Sequence, residues 1–275
     1  VIFTGFTGMY VAPGALHPLV FVAALFAIAA GAGASGAINQ WYDRDIDAVM
    51  TRTKTRPIPA GVMVPAEALT MGLVVSVISV LLLGLAANWL AASLLAFTIF
   101  FYAVVYTVWL KRSTPQNIVI GGAAGALPPV IGWVAVTGSL SIEPLVLFAV
   151  IFMWTPPHFW ALAIRRRNDY AKAGVPMLPV THGVEFTKAQ VLLYTMMLLA
   201  VTLIPFVIDM TGLIYLAGAV GLGLMFIYHA WKLYRGKTDE HAMRTFAYSI
   251  FYLNGLFAFL LVDHYARVFF RSIVG

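Results

Sequence analysis

Apolar stretches of about twenty residues recur along this chain, near 19–38, 66–86, 89–110, 117–136, 144–164, 189–208, 213–234 and 246–270, with a shorter one at 1–11. Each long stretch meets the ~20 residues that a bilayer core requires. Backbone groups in lipid must bond within their own segment, so the pattern predicts an all-α integral membrane protein, a nine-span transmembrane helix bundle forming one domain over residues 1–275. Only 10% of the 275 residues are charged and 61% are hydrophobic, against about 25% charged in soluble domains. A soluble domain and a nucleic-acid binder are both excluded. Cysteine is absent, so disulfide and thiol chemistry are excluded too. The chain begins with Val1 inside an apolar run, which predicts a trimmed N-terminus.

The net charge of +6 is explained by topology before any partner is invoked. Arg44, Arg52, Lys54 and Arg56 follow the second stretch, and Lys111 and Arg112 follow the fourth. Arg165, Arg166, Arg167, Lys172 and Lys188 follow the sixth; Lys232, Arg235, Lys237 and Arg244 follow the eighth. These are fifteen of the seventeen Lys and Arg, the others being Arg267 and Arg271 near the C-terminus. The positive-inside rule then places the charged connections on the cytoplasmic face of an inner membrane, or the matrix face of a mitochondrial one, with the C-terminus opposite. Pro128–Pro129 predicts a break in the fifth span, and Pro156–Pro157 places a second proline pair in the sixth.

One connection concentrates both signs of charge. Residues 39–61 read N-Q-W-Y-D-R-D-I-D-A-V-M-T-R-T-K-T-R-P-I-P-A-G. Asn39, Asp43 and Asp47 are spaced i, i+4, i+8, along one face of a helix. Three oxygen-bearing side chains in that register suit Mg²⁺, which takes a few carboxylates, waters and substrate phosphate oxygens. Asp45 lies off the stripe and is expected to pair locally with Arg44. Arg52 and Arg56, with Lys54 between them, supply the forks and point charge that bind phosphate. Carboxylates for a metal followed by cations for phosphate describe a diphosphate site. A solvated loop that merely stops its helices from sliding is the plain alternative, and the register of the carboxylates weighs against it.

Two further connections belong to the same face. Residues 165–183 repeat the order of cations, an acid, prolines and a glycine, and residues 106–117 add Lys111, Arg112 and small polar groups. The three are expected to converge over one cavity mouth. His158, directly after two prolines within a span, is either an iron ligand or a buried imidazole bonded to a neighbouring carbonyl. His182 is a weaker candidate. His17, His229, His241 and His264 lie near span ends, and Glu67, Glu143, Asp209 and Asp263 read as boundary markers.

The N-x-x-x-D-x-x-x-D at Asn39, Asp43 and Asp47 resembles the first aspartate-rich motif of the UbiA superfamily of intramembrane prenyltransferases. The longer runs around it, L-K-R-x-T-P-Q-N-I-V-I-G-G-A-A-G-A-x-P-P-V-I-G-W, T-P-P-H-F-W-A-L-A and D-Y-A-x-A-G-V-P-M-L-P, resemble the haem-farnesylating branch of that superfamily across nearly the whole chain. The resemblance implies that farnesyl diphosphate and haem B, with water, give a farnesylated haem and diphosphate. It implies Mg²⁺ on Asn39, Asp43 and Asp47, with Asp169 sharing a metal or holding its neighbours. Diphosphate would be bound by Arg52, Arg56 and Lys54, then by Lys111, Arg112, Tyr170 and Lys172, and haem would be handled by His158. The protein would work either alone or beside a haem A synthase or terminal-oxidase assembly in the membrane.

Two departures stand out. The second motif is often D-x-x-x-D, whereas Ala173 stands four residues after Asp169. The superfamily's Tyr-x-x-x-Lys spacing is also unmatched, because Tyr106 and Lys111 are five apart, and Tyr106 is given no role. The rival readings are a prenyltransferase for another aromatic or tetrapyrrole acceptor, a transporter, and a haem-binding electron-transfer subunit. A transporter leaves the carboxylates at one membrane face unexplained, and an electron-transfer subunit leaves the aspartate stripe idle.

Overall fold

The computed structural model describes residues 1–236 and 238–274, with side chains as far as residue 270. Lys237 and the side chain of Arg271, counted above among the basic residues, lie outside the described residues. No strand occurs among the described residues. The chain is α1 (Ile2–Val11), α2 (Pro18–Tyr42), α3 (Arg44–Val49), α4 (Pro65–Ala86), α5 (Trp89–Phe100), a π-helical segment (Phe101–Leu110), α6 (Asn117–Ala126) and α7 (Pro128–Thr137). It continues through α8 (Ile142–Arg165), α9 (Arg167–Lys172), α10 (Leu178–Thr181), α11 (Val184–Val207), α12 (Leu213–Arg235) and α13 (Glu240–Val274). Among the described residues, eight stretches of helix are long and apolar enough to cross a membrane, α5 with its π extension and α6 with α7 each counting as one. The ninth apolar segment, α1, is ten residues long and falls short of a span on its own.

Helix boundaries follow from local chemistry. Pro18 and Pro65 open α2 and α4, where a missing N–H costs nothing. The Glu67 carboxylate accepts the Val64 N–H at 3.2 Å. Asn88 accepts the Ala91 N–H at 2.9 Å to cap α5, and donates to the Val134 carbonyl at 2.8 Å, tying that end to α7. Asp263 does more than mark a boundary. It is buried in α13 and accepts the N–H groups of Gly212 at 2.6 Å and Tyr215 at 3.1 Å, satisfying the start of α12. The expected break at Pro128–Pro129 is present, since α6 stops at Ala126 and α7 starts at Pro128. The second pair breaks nothing: α8 runs unbroken through Pro156 and Pro157.

Two packed halves surround a central gap. In one, α2 lies on α4, α5 and the π segment; in the other, α8 lies on α11 and α13, with α12 against both of these. The joint is α6, packed on the π segment and α8, together with α1 against α7 and α13. A Cβ on Gly8 would lie 2.1 Å from the Pro129 carbonyl oxygen, and one on Gly132 2.3 Å from that of Gly5. Only glycine lets these two backbones approach so closely. Among the described residues α2 and α8 do not pack against each other, and the space between them holds the site. Outward-facing Leu19, Leu85, Val207, Leu213 and Phe251 are exposed around the bundle, as a lipid-facing surface requires.

Candidate active site

The last turn of α2 carries the acidic stripe into α3. Asp43 joins the two helices; its N–H donates to the Asn39 carbonyl at 2.8 Å, and its own carbonyl accepts the Asp47 N–H at 2.8 Å. The i to i−4 ladder therefore crosses the junction, and Asn39, Asp43 and Asp47 stay on one face as their spacing predicts. All three are buried, Asp43 completely.

Buried carboxylates require partners, and each has them. Asp43 Oδ2 accepts from Lys111 Nζ and from Asn39 Nδ2, the latter at 2.7 Å, while Asp43 Oδ1 lies 3.3 Å from Arg112. Asp47 Oδ2 accepts from Arg56 at 2.7 Å. Asp45 corrects the expectation of a local pair with Arg44. Its carboxylate accepts both arms of the Arg112 guanidinium, at 2.6 and 2.7 Å, while Arg44 donates to the Trp41 carbonyl at 2.6 Å. That hydrogen-bonded fork holds the Asp45 carboxyl down at about 2.

The π-helical segment supplies the facing wall. Its wider turn bonds the Lys111 N–H to the Tyr106 carbonyl at 2.9 Å, one residue farther back than an α-helix would. Residues five apart are thereby one turn apart, so Tyr106 and Lys111 line the same cavity despite their unmatched spacing. Gly121 makes room for the Tyr106 ring, because a Cβ there would lie 2.2 Å from Tyr106 Cδ2.

The cavity has a volume of about 480 Å³. Asn39, Asp47, Arg52, Arg56, Lys111 and Tyr170 line its polar end; Ile28, Leu95, Ile131 and Ile151 line its apolar depth, with Trp154 and Phe159 on the α8 flank. Ile28 and Asn39 are eleven residues apart on α2, which makes the cavity about 16 Å deep at ~1.5 Å per residue. The three charged connections do converge on its mouth. Thr51 donates to Asp169 at 3.1 Å, and the Arg52 guanidinium stands beside the Tyr170 phenol, so the 39–61 and 165–183 connections are joined directly. Burial pushes the Tyr170 phenol above its ordinary range.

The anticipated residues divide into two groups. Asn39, Asp47, Arg52, Arg56, Lys111 and Tyr170 face the cavity; Asp43 stands behind them as the counter-ion of Lys111. Arg52 lines the cavity and forms no ion pair with a carboxylate among the described residues, so its charge is available to an anion. Lys54 and Lys172 are exposed and off the cavity wall. Asp169 sits behind Thr51, 3.8 Å from Arg166. Among the described residues no three His, Asp or Glu side chains group to hold a metal. Of the anticipated metal ligands, Asn39 and Asp47 line the cavity, and an amide, a carboxylate, water and substrate phosphate form a set that fits Mg²⁺.

His158 lies off the cavity wall, stacked between Trp154 at 4.2 Å and Phe246 at 4.7 Å. Its Nδ1 is 2.6 Å from Ser249 Oγ, and the Ser249 hydroxyl itself donates to the Phe246 carbonyl at 2.6 Å. Ser249 therefore accepts from Nδ1–H, leaving the Nε2 lone pair unprotonated. Residue reading had missed Tyr102, Tyr106, Thr107 and the Trp154–Phe159 flank. The five-residue interval from Tyr106 to Lys111 was the available signal for the first three.

Comparisons with known proteins fall in line with this geometry. The model of the UbiA prenyltransferase family matches residues 1–256. A relative from Parvibaculum lavamentivorans, a protoheme IX farnesyltransferase, is 57% identical over 267 residues, covering 96% of this chain and 84% of its own. A structure of digeranylgeranylglyceryl phosphate synthase superposes with a TM-score of 0.80 at 18% identity, over 96% of this chain and 92% of its own. A UbiA homologue from Archaeoglobus fulgidus, bound to DMAPP and Mg²⁺, superposes with a TM-score of 0.66 at 16% identity, over 94% of this chain and 93% of its own. This chain is an integral membrane enzyme that transfers prenyl groups, and it belongs to the UbiA prenyltransferase family.

Proposed function

We propose that this protein transfers a farnesyl group from farnesyl diphosphate to a vinyl group of haem B, with addition of water, giving a hydroxyfarnesylethyl haem and diphosphate. One observation carries the reading: a single cavity joins a mouth of Asn39, Asp47, Arg52, Arg56 and Lys111 to an apolar depth of about 16 Å. A prenyl diphosphate has the same division into a charged head and an apolar tail. The 57% identity to a protoheme IX farnesyltransferase supports haem as acceptor.

Arg52 binds the diphosphate first, because it has no carboxylate to leave. Lys111 and Arg56 border the same space and stabilise the negative charge that grows on the leaving group as the allylic C–O bond breaks. Asn39 and Asp47, and Asp43 where Lys111 turns to the substrate, would hold Mg²⁺, which when bound would supply further neutralisation of that charge. The bond's electron pair leaves with the diphosphate. The vinyl π electrons form the new C–C bond to the allylic cation, water captures the cation left beside the macrocycle, and its proton goes to solvent. The apolar depth keeps water from the farnesyl cation until the vinyl carbon reaches it. His158, with Nε2 unprotonated, is the proposed ligand to the haem iron, and Trp154 and Phe159 form the flank against which the acceptor lies. The placement of Lys and Arg supports a mouth at the cytoplasmic face of the inner membrane, or at the matrix face of a mitochondrial one.

The test is direct. Purified protein in detergent is given haem B, farnesyl diphosphate and Mg²⁺, and the haem is analysed by mass. The expected product is haem B plus one farnesyl group and one hydroxyl group, lost on removing Mg²⁺ and in Asp47→Asn. Diphosphate release without a change in haem mass would refute haem as acceptor, and a folded protein releasing no diphosphate would refute prenyl transfer.

A further inference from the structure

We infer that Thr107 is a positioning residue that fixes the amide of Asn39 with its carbonyl oxygen, and not its NH₂, turned to the cation site. This rests on the reading of Asn39 as a metal ligand.

The argument is one of hydrogen-bond accounting. An Asn side chain offers two N–H donors on one arm and an acceptor oxygen on the other, and only the oxygen binds a cation. Which arm faces the cavity is decided by the neighbours. Asn39 Nδ2 lies 2.7 Å from Asp43 Oδ2 and 3.1 Å from Thr107 Oγ1. Ionised Asp43 can only accept. Thr107 carries a single hydroxyl proton, and it is spent: Oγ1 donates to the Tyr102 carbonyl at 2.8 Å. Towards Asn39, Thr107 too can only accept. Both amide N–H groups are thus drawn away from the cavity, and the opposite orientation would set the amide oxygen against two acceptors.

The π-helical segment makes this possible. Thr107 is completely buried and reaches the carbonyl five residues back, the interval of the Lys111–Tyr106 backbone bond. Buried Thr155 and Thr195 also bond a carbonyl of their own helix, at i−4, which is the ordinary fate of a buried hydroxyl. What sets Thr107 apart is the side chain that donates to it from another helix, 68 residues away in sequence. Neither Thr107 nor Tyr102 needs to touch substrate for this to work.

The test uses Mn²⁺ as a paramagnetic stand-in, titrated by electron paramagnetic resonance into the full-length protein in detergent with farnesyl thiolodiphosphate, a slowly ionising analogue. Thr107→Val keeps the shape and removes the oxygen, and Thr107→Ser keeps the oxygen. We expect Thr107→Val to weaken Mn²⁺ binding about 10- to 100-fold, the range for residues that orient metal ligands, and Thr107→Ser to stay within about threefold of wild type. In an Asn39→Ala background, Thr107→Val should cost nothing further, because its effect passes through Asn39. Thr107→Ala gives the same comparison should the valine variant fold poorly. Wild-type Mn²⁺ affinity in folded Thr107→Val, or equal losses in Thr107→Ser, overturns the inference while the metal reading stands. Wild-type affinity in Asn39→Ala overturns both.

Discussion

Gly121→Ala is a one-carbon test of whether the π-helical wall is built to hold the Tyr106 ring. The added Cβ would lie 2.2 Å from Tyr106 Cδ2, 2.9 Å from Cε2 and 3.1 Å from Cγ. Carbon atoms rest at ~3.5–4.0 Å, so the ring must retreat by at least about 1.3 Å. It cannot retreat freely, because the Tyr102 ring stands 5.3 Å from it, centroid to centroid, and the remaining direction is the cavity. Overpacking of this kind costs about 1–3 kcal/mol, while exchanging glycine for alanine within a helix returns about 1 kcal/mol. The net loss is therefore at most about 2 kcal/mol, a protein that still folds. Activity should suffer more than stability, since a ~1 Å displacement of groups at a reacting centre costs up to about 10²-fold. The assays are thermal denaturation in detergent and kcat/KM for diphosphate release with farnesyl diphosphate and haem B. Gly33→Ala is the matched control: nothing lies within 4 Å of its Cβ, and it should gain about 0.5–1 kcal/mol. If Gly121→Ala behaves as Gly33→Ala does in both assays, the ring is not confined and the reasoning fails.

Two other expectations are independent of that one. Asp45→Asn removes the partner of Arg112; Asp45 is 60% exposed, so the loss should be only about 0.2–1 kcal/mol. Because Arg112 lowers the Asp45 carboxyl to about 2, the pair contributes fully above the ordinary carboxyl value near ~3.9 and loses its contribution as pH falls through about 2; a wild-type-minus-variant difference that instead grew on acidification would contradict this sign. His158→Ala should change the visible spectrum of bound haem B, with added imidazole restoring it, and Ser249→Ala should weaken haem binding about 10-fold by releasing the Nδ1–H. An unchanged spectrum in His158→Ala would leave that histidine as packing between α8 and α13.

Much of the fold was legible because lipid imposes so few solutions. Twenty apolar residues between charged connections specify a spanning helix almost without reference to neighbours, and the proline pair at Pro128–Pro129 marked a real break. The pair at Pro156–Pro157 looked the same in sequence and broke nothing. Pro128 follows Leu127 at a point where α6 has already ended, so it starts a helix. Pro156 and Pro157 lie inside α8, packed against α6, α11 and α13, and those contacts hold the rod together across the missing donors. Tertiary support of that kind leaves no mark on the local sequence.

The site divides the same way. Asn39, Asp43 and Asp47 were readable as a stripe because their i, i+4, i+8 interval maps onto α-helical geometry, and the ladder from Asn39 to Asp47 preserves it. Their separate duties were not readable. Spacing cannot say that Asp43 is sealed behind the wall by Lys111 and Arg112 while Asp47 and Asn39 face the cavity, because those cations arrive from 68 and 69 residues away. The Asp45–Arg112 pair spans a comparable separation, so a search among sequence neighbours was bound to offer Arg44 instead. The five-residue interval between Tyr106 and Lys111 failed for a different reason: it was measured against a helix of the wrong pitch. In a π-turn, the hydrogen bond closes over five residues. The same interval that excluded Tyr106 on an α-helix places it above Lys111, and it lets Thr107 reach past the usual carbonyl to hold Asn39.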